Sequence, residues 1–306
     1  MKTSRVRTYR LCVATFMAIA ALILPYYSLA VDKMQPEEIV AKHLDSIGGA
    51  ETRASVHSRI AAGTVVATLR SPGTAKFNGQ AIMASDGNKN MIKLGFENAG
   101  SYQEKFGFDG RDLTVGFVRP GVRGYWGDFL NTHQNIIKEG LVGGTLSDAW
   151  PLLNLSEKKP KLEYHGIKKI GGKSLHELKY IPRGTSDLDI SLFFDTETFQ
   201  HVRTEYTRFI SGGLGTGVIG SSRPASAAQS GAIDASGQQR PTRYKMVEEF
   251  SDFRKESGLT LPHSYKVGLE LDTRAGTLIG DWEFALTEFA FNQPIPVATF
   301  NVNPKQ

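Results

Sequence analysis

"LDISLFFDTETFQHVRTEYTRF", residues 188–209, contains two strand patterns joined by a short turn. In each run, every second residue is apolar or β-branched, so one face of each strand is marked for burial. Residues 195–198 between the runs form turns readily, which predicts an antiparallel pair. The marked positions are Ile190, Leu192, Phe194, Val202, Thr204 and Tyr206.

Similar strand patterns continue on both sides of this pair. Two stretches fold back at Asp86-Gly87-Asn88 and at Asp109-Gly110, and a D-G step between apolar runs is a strong hairpin signal. Gly171-Gly172 predicts a third turn. We predict ten to twelve antiparallel strands in all, which include runs at 60–69, 77–96, 102–118, 161–170, 175–181, 244–254, 261–271 and 280–291.

Helical spacing occurs in three places. Pro36 opens a pattern that predicts a helix as far as Gly48-Gly49, with His43 on its apolar side, and a shorter helical piece follows through Val56. A second helix is predicted over 128–139 and a third over 148–155, capped by Ser147. Because helices with one apolar face need a sheet to pack on, we predict an α+β fold with a large antiparallel sheet.

Residues 1–30 are predicted to be a secretory signal. Basic residues precede a continuous apolar run at 11–24, Pro25 follows it, and Ser28-Leu29-Ala30 provides small residues before a cleavage point. The run is short for a membrane-spanning helix. We therefore expect a periplasmic protein whose mature domain covers 31–306.

The charge balance of this mature domain is close to neutral. Four of the 36 basic residues lie in the leader, which leaves 32 against 31 acidic residues. A nucleic-acid partner is therefore not expected. The single cysteine, Cys12, also lies in the leader, so we expect no disulfide and no thiolate ligand in the mature domain.

A glycine-rich stretch at 211–242 contains Gly215-Thr216-Gly217-Val218-Ile219-Gly220, and Asp234 follows it. This matches the dinucleotide-binding pattern, which requires a helix after the last glycine. Pro224 and the serines and glycines around it do not support such a helix. We predict a flexible insertion, with no nucleotide and no other cofactor.

No catalytic or metal-binding set is apparent in the sequence. The seven histidines are too widely spaced for two of them to share a helix face. The acidic pairs Asp187/Asp189 and Asp195/Glu197 flank turns, and Glu248/Glu249 alternate along a strand and should face apart. We interpret His43, His133 and His201 as half-buried or surface residues. The protein is predicted not to be an enzyme.

The remaining candidates for function are apolar residues on the predicted strands. They could form an ordinary core, or they could line a cavity that a few short helices leave uncovered. One sequence does not decide between these two alternatives. The candidate ligand-binding residues are Phe194, Tyr206, Met246, Phe250, Tyr265, Val267, Trp282 and Phe284.

Five segments together resemble outer-membrane lipoprotein-sorting, LolA/LolB-like periplasmic proteins. They are "EEIVAKHLDSIGGAE", "SRIAAGTV", "FDTETFQHVRTEY", "FSDFRKESGLTLPHSYKV" and "FNQPIPVATFNV". The resemblance covers most of the mature chain. It implies a half-open antiparallel β-barrel wrapped around helices, with an apolar cavity that receives lipoprotein acyl chains.

Three functions remain open at this point. The first is a carrier or binding protein for lipid or lipoprotein acyl chains. The second is a sensory or structural domain with a filled core that binds an envelope protein, a role that related family members perform. The third is an exported hydrolase, for which Asp195, Glu197 and His201 would be the best candidates.

Overall fold

A computed structural model describes residues 34–71, 73–97, 103–184, 186–210, 242–273 and 276–302. The predicted leader and the glycine-rich motif lie outside these ranges. The predicted insertion does too, apart from Thr242, with which a strand begins.

The described chain contains twelve strands, and this number agrees with the prediction. They are β1 (Ser58–Ser71), β2 (Gly73–Asp86), β3 (Lys89–Phe96), β4 (Gln103–Phe108), β5 (Leu113–Val115), β6 (Lys161–Ile170), β7 (Lys173–Ile181), β8 (Asp189–Asp195), β9 (His201–Ile210), β10 (Thr242–Glu256), β11 (Leu259–Thr273) and β12 (Gly276–Phe291). All the predicted hairpins form.

The helices are short and fall into two groups. They are α1 (Pro36–Ile47), α2 (Ala50–Ala54), α3 (Tyr125–Thr132), α4 (Asn135–Lys138) and α5 (Leu155–Lys158), with 3₁₀ turns η1 (Gly144–Leu146), η2 (Pro151–Asn154) and η3 (Val297–Phe300). The α3–α5 group stands between β5 and β6.

All strands join one antiparallel sheet in the order β5-β4-β3-β2-β1-β12-β11-β10-β9-β8-β7-β6. The strands β5 and β6 stand at opposite edges and do not pair within the described ranges, so the sheet is open rather than a closed barrel. The connection between them must cross from one edge to the other. This crossing carries α3, α4 and α5 and explains why helices cover one face.

The two faces of the sheet differ in polarity. We call the helix-covered face the inner face; it carries aromatic and aliphatic side chains that are almost fully buried. The opposite, outer face carries ion pairs between neighbouring strands, a polarity typical of a solvated sheet face. These pairs are Arg203–Glu249, Lys245–Glu205, Lys266–Glu283 and Arg70–Asp281.

The helical predictions in the crossing segment were only partly right. The predicted helix at 128–139 is two helices, because His133 has φ −111° and ψ 52° and interrupts the helical path. Ser147 caps no helix there: its Oγ accepts a hydrogen bond from the Ala149 amide at 3.1 Å. The chain then makes a 3₁₀ turn that begins at Pro151. Asp148 and Trp150 precede this turn, so they are buried but do not belong to a helix.

Candidate functional site

A cleft of about 520 Å³ opens between the α1–α2 pair, the adjoining ends of β1 and β2, and the segment 148–154. Its volume falls in the range of small-molecule binding sites. The side chains that line it include apolar, cationic and acidic groups. They are Leu44, Ile47, Ala50, Arg53, Ala54, Val56, His57, Arg59, Asp86, Gly87, Asp148, Leu153, Asn154 and Leu259.

The apolar wall of the cleft belongs to a small hydrophobic cluster. Ile47 at the end of α1 packs with Leu259 at the start of β11, and both are buried. Leu44, Val56 and Leu153 pack around them and are only partly buried. The cluster therefore offers apolar surface that an aliphatic chain could cover.

The polar floor of the cleft is a buried ion pair. Arg59 Nη2 lies 3.0 Å from Asp148 Oδ1, and the two side chains are only 4% and 9% exposed. Ser85 Oγ donates to Asp148 Oδ2 at 3.2 Å and accepts from the Asp148 amide at 2.9 Å. Arg59 also donates to the Thr145 carbonyl oxygen. These bonds hold the crossing segment against β1 and β2.

One donor on this floor is not used. Arg59 Nε is buried and has no hydrogen-bond partner in the part of the chain that the structure describes. Burial lowers the pKa of Arg59, while Asp148 opposes that effect. Burial likewise raises the pKa of Asp148, and Arg59 opposes it. An unpaired buried N–H is costly, so an acceptor that reaches Nε would stabilise the floor.

Above the floor, Arg53 closes the end of α1. Its Nη1 donates to the carbonyl oxygens of Leu44, at 2.6 Å, and Gly48. These carbonyls belong to the last turn of the helix, where a cation is favourable. The Nη1 atom of Arg53 is thus engaged by the end of α1.

The structure gathers all eight sequence-predicted residues on the inner face of β8–β12. None is more than 3% exposed. Phe250 stacks on Tyr265 with ring centroids 5.2 Å apart, and Tyr265 lies 4.9 Å from Phe284. Met246 pairs with Tyr206 and Val267 with Trp282 across neighbouring strands. These residues and Phe194 form a packed interior, and the cleft is lined by other residues.

Helix α3 covers one end of this interior. Trp126 is fully buried, and its ring lies 5.5 Å from that of Trp282. Phe106 packs against the same Trp126 ring at 5.0 Å. The close contacts between rings account for the near-complete burial of this end of the sheet.

The three histidines interpreted as half-buried or exposed are in fact buried. His43 and His201 are 0% exposed and His133 is 4% exposed. His43 lies on the inner side of α1, where Trp150 Nε1 donates to its Nε2 at 3.1 Å and the Phe199 carbonyl lies 3.1 Å from its Nδ1. Burial lowers the pKa of His43 to about 4, so the ring is neutral near neutral pH.

The position of His201 follows from an irregularity between β8 and β9. The register shifts at Phe193/Phe194, so that His201 rather than Val202 pairs with Phe194. The prediction that Val202 shares the inner face with Thr204 was therefore wrong: Val202 is half-buried, and His201 takes its place.

The sequence did not reveal the role of Glu248, which is a buried carboxylate. Glu248 is fully buried, and its partner in the predicted pair, Glu249, faces outward as expected. Tyr206 and Tyr265 donate to Glu248 at 2.6 and 2.5 Å, and the Gly143 amide donates at 2.8 Å. Burial raises the pKa of Glu248, and these three bonds oppose that shift. Glu248 therefore ties the crossing segment to the sheet.

The residues suggested for a hydrolase have structural tasks here. Asp195 Oδ1 accepts hydrogen bonds from the amides of Glu197 and Thr198, which makes Asp195 a turn residue. Glu197 is exposed, and His201 Nε2 lies 2.9 Å from Thr204 Oγ1 within the core. Within the described ranges, no group of three potential ligands could hold a metal ion. The helices described are all too short or too polar to cross a bilayer.

The fold and the site define an α+β protein with an open antiparallel sheet, one covered face and a cleft of mixed polarity. No protein-family model matches the sequence, and the comparison with curated proteins found no match.

Solved structures of the group that the sequence motifs resemble are similar to it. A LolA superfamily protein from Nitrosomonas europaea is 14% identical over 88% of this chain and 99% of its own, with a TM-score of 0.45. A domain from Vibrio parahaemolyticus, named as an outer membrane lipoprotein-sorting protein, is 11% identical over 86% and 98%, with a TM-score of 0.42. A DUF1329 family protein from Desulfovibrio piger is 9% identical over 88% and 98%, with a TM-score of 0.36.

Proposed function

We propose that this protein binds an amphiphilic, lipophilic ligand in the cleft, with an aliphatic chain on the apolar wall. A shift of the buried Arg59 side chain would bring its Nε into contact with an oxygen acceptor of the ligand. The single observation that carries the proposal is the unpaired, buried Nε–H beside an accessible apolar wall. A lipid or lipoprotein acyl chain with its ester or carboxyl group meets both requirements.

The two halves of the cleft select for such a ligand in different ways. Covering Leu44, Val56 and Leu153 removes apolar surface from water, at roughly 25 cal/mol per Å². A purely aliphatic ligand would leave Nε unpaired, whereas an ester or carboxyl oxygen adds a charge-assisted hydrogen bond of about 1.5–3 kcal/mol. Asp148 already balances the Arg59 charge, so a neutral ester suits the floor as well as a carboxylate.

The packed interior is a proposed extension of this site for longer chains. Helix α1 separates the two: Leu44 and Ile47 line the cleft, while the ring of His43 lies 4.8 Å from that of Phe194. A chain would contact the eight predicted residues only if α1 moved away from the sheet. We propose this second contact for ligands longer than the cleft.

The cellular role that fits this site is that of an exported carrier or binding protein of the periplasm. The predicted leader supports export, and binding requires no cofactor and no catalytic group. The chain would transport or store the ligand rather than transform it.

Binding of parinaric acid, an intrinsically fluorescent fatty acid, tests the proposal. Ala54 lines the cleft and is exposed, so Ala54→Trp should fill part of it without disturbing the core. We expect Ala54→Trp to weaken binding roughly tenfold or more, which corresponds to about 1.4 kcal/mol. Ala41→Trp on the exposed side of α1 is the matched control and should bind like the wild type. Equal affinities for the two variants would exclude the cleft as the site.

The filled interior favours a second candidate, a sensory or structural domain that binds an envelope protein. The observation that favours this candidate is the packing of aromatic rings with centroids 4.8–6.1 Å apart. The rings are those of His43, Phe194, His201 and Phe250. This candidate predicts that the purified protein carries no lipid in native mass spectrometry and that crosslinking in cells recovers one envelope protein. Recovery of bound lipid with no crosslinked partner would remove it.

A further inference from the structure

The segment 117–125, which connects β5 to α3 and includes the first residue of that helix, exposes an unusual amount of apolar surface. Phe117 is 50% exposed, Val122 52% and Tyr125 46%. Other exposed large hydrophobic residues, such as Ile82, Ile167 and Ile279, lie singly on different strands. Scattered residues of that kind are normal on protein surfaces, whereas three within one short segment need an explanation.

The segment is an ordered turn. Arg119 and Val122 pair with each other, and the Val122 amide donates to the Arg119 carbonyl oxygen at 2.9 Å. Pro120 and Gly121 stand between them, and Gly121 has φ +75°, as the third position of a type II turn requires. The chain therefore holds its apolar side chains on a fixed tip, which we call the 117–125 turn.

The same turn carries two cationic side chains, while the carboxyl group of the buried Glu104 lies beside Gly124 at its base. Its sequence, "FVRPGVRGY", contains two arginines and no acidic residue. Neither Arg119 nor Arg123 forms an ion pair with a residue in the described ranges, and Arg123 Nε has no hydrogen-bond partner there. The Arg123 guanidinium lies over the Phe117 ring at 4.7 Å, which joins the cation to the apolar surface.

We propose that the 117–125 turn docks on a lipid bilayer that contains anionic lipids. Exposed aromatic side chains are favoured at the level of the lipid head groups, and arginines beside them attract anionic phosphates. A stable protein interface needs roughly 800 Å² on each partner, which is much more than three side chains at one turn present. Bilayer contact needs only such a small amphipathic tip. This surface is separate from the cleft, and its test is independent of the ligand test.

Vesicle co-sedimentation of the exported protein, from which the predicted leader is absent, tests this proposal. We expect binding to phosphatidylcholine vesicles that contain phosphatidylglycerol and little binding to phosphatidylcholine alone. Phe117→Ser should weaken binding on the order of tenfold. Arg119→Gln should weaken it about fivefold, and raised salt should have a similar effect.

Ile167→Ser is the matched control, because Ile167 is 57% exposed but lies on the edge strand β6. It should bind vesicles like the wild type. All three substituted side chains are at the surface, so equal melting temperatures will establish that the variants are folded.

Two results would overturn the proposal. One is that the wild type ignores vesicles of both compositions. The other is that Phe117→Ser and Ile167→Ser bind equally well. If the turn variants instead abolish crosslinking to an envelope protein while vesicle binding stays absent, the turn is a protein-docking surface and the bilayer proposal is wrong.

Discussion

Acidification should destabilise this protein through His43, by an amount that follows from its surroundings. In the fold, Trp150 Nε1 donates to Nε2, and Nδ1 faces the Phe199 carbonyl oxygen, so Nε2 must remain an acceptor. Protonation would replace that acceptor with a second donor inside the core. Burial accordingly lowers the pKa of His43 from 6.5 to about 4.

The size and sign of the effect come from proton linkage. Above a pH of about 6.5, His43 is neutral in both the folded and the unfolded state, and its contribution to stability is fully present. As the pH falls from there toward about 4, the unfolded state binds a proton that the folded state does not bind, so the free energy of unfolding falls. A difference of one bound proton changes this free energy by about 1.4 kcal/mol per pH unit. Over the interval between the two pKa values, the total loss is about 3 kcal/mol.

Urea unfolding at about pH 7 and about pH 5 measures this loss. His43→Gln does not titrate, and its amide can still accept from Trp150. The wild type should lose about 2 kcal/mol more than His43→Gln between the two pH values. The variant is also expected to be less stable at pH 7, which does not enter the comparison. Equal losses in the two proteins would refute the assignment of a neutral, depressed His43.

Two further predictions concern the crossing segment. Asp148→Asn leaves the Arg59 guanidinium buried without its counter-ion and should lower the free energy of unfolding, measured with urea, by about 3–5 kcal/mol. The apolar double variant Arg59→Met/Asp148→Leu should lower it by less. A loss below about 1 kcal/mol for Asp148→Asn would contradict the buried pair. Gly140→Ala should lower the melting temperature much more than Gly87→Ala. Both glycines have positive φ, but a Cβ at 140 would collide with a backbone carbonyl, whereas a Cβ at 87 meets open space. Similar shifts in melting temperature would show that the backbone at 140 can relax.

The sequence predicted the parts of the fold that depend on neighbouring residues. The hairpin at Asp86-Gly87-Asn88 and the pair joined by 195–198 were correct because alternation and turn chemistry are local signals. The helix at Pro36 was correct for the same reason. Its prediction even placed His43 on the apolar side, and only the extent of burial was underestimated.

The cleft could not be predicted, because its parts come from distant regions of the chain. Arg59 on β1 meets Asp148 only because the crossing segment passes over the inner face. Burial in that segment also overrode helical spacing at His133 and at Trp150. The eight apolar candidates lie on the inner face, but alternation alone does not distinguish a filled interior from a lined cavity.

Photocrosslinking with a diazirine-labelled fatty acid, followed by peptide mapping, locates the bound ligand on the chain. If the ligand lies in the cleft, the label should attach to peptides that contain residues 44–59 and 148–154, and Ala54→Trp should abolish this labelling while Ala41→Trp preserves it. Labelling confined to the strands that carry Phe250, Tyr265 and Trp282, or the same weak labelling of every peptide, would contradict a ligand site at Arg59.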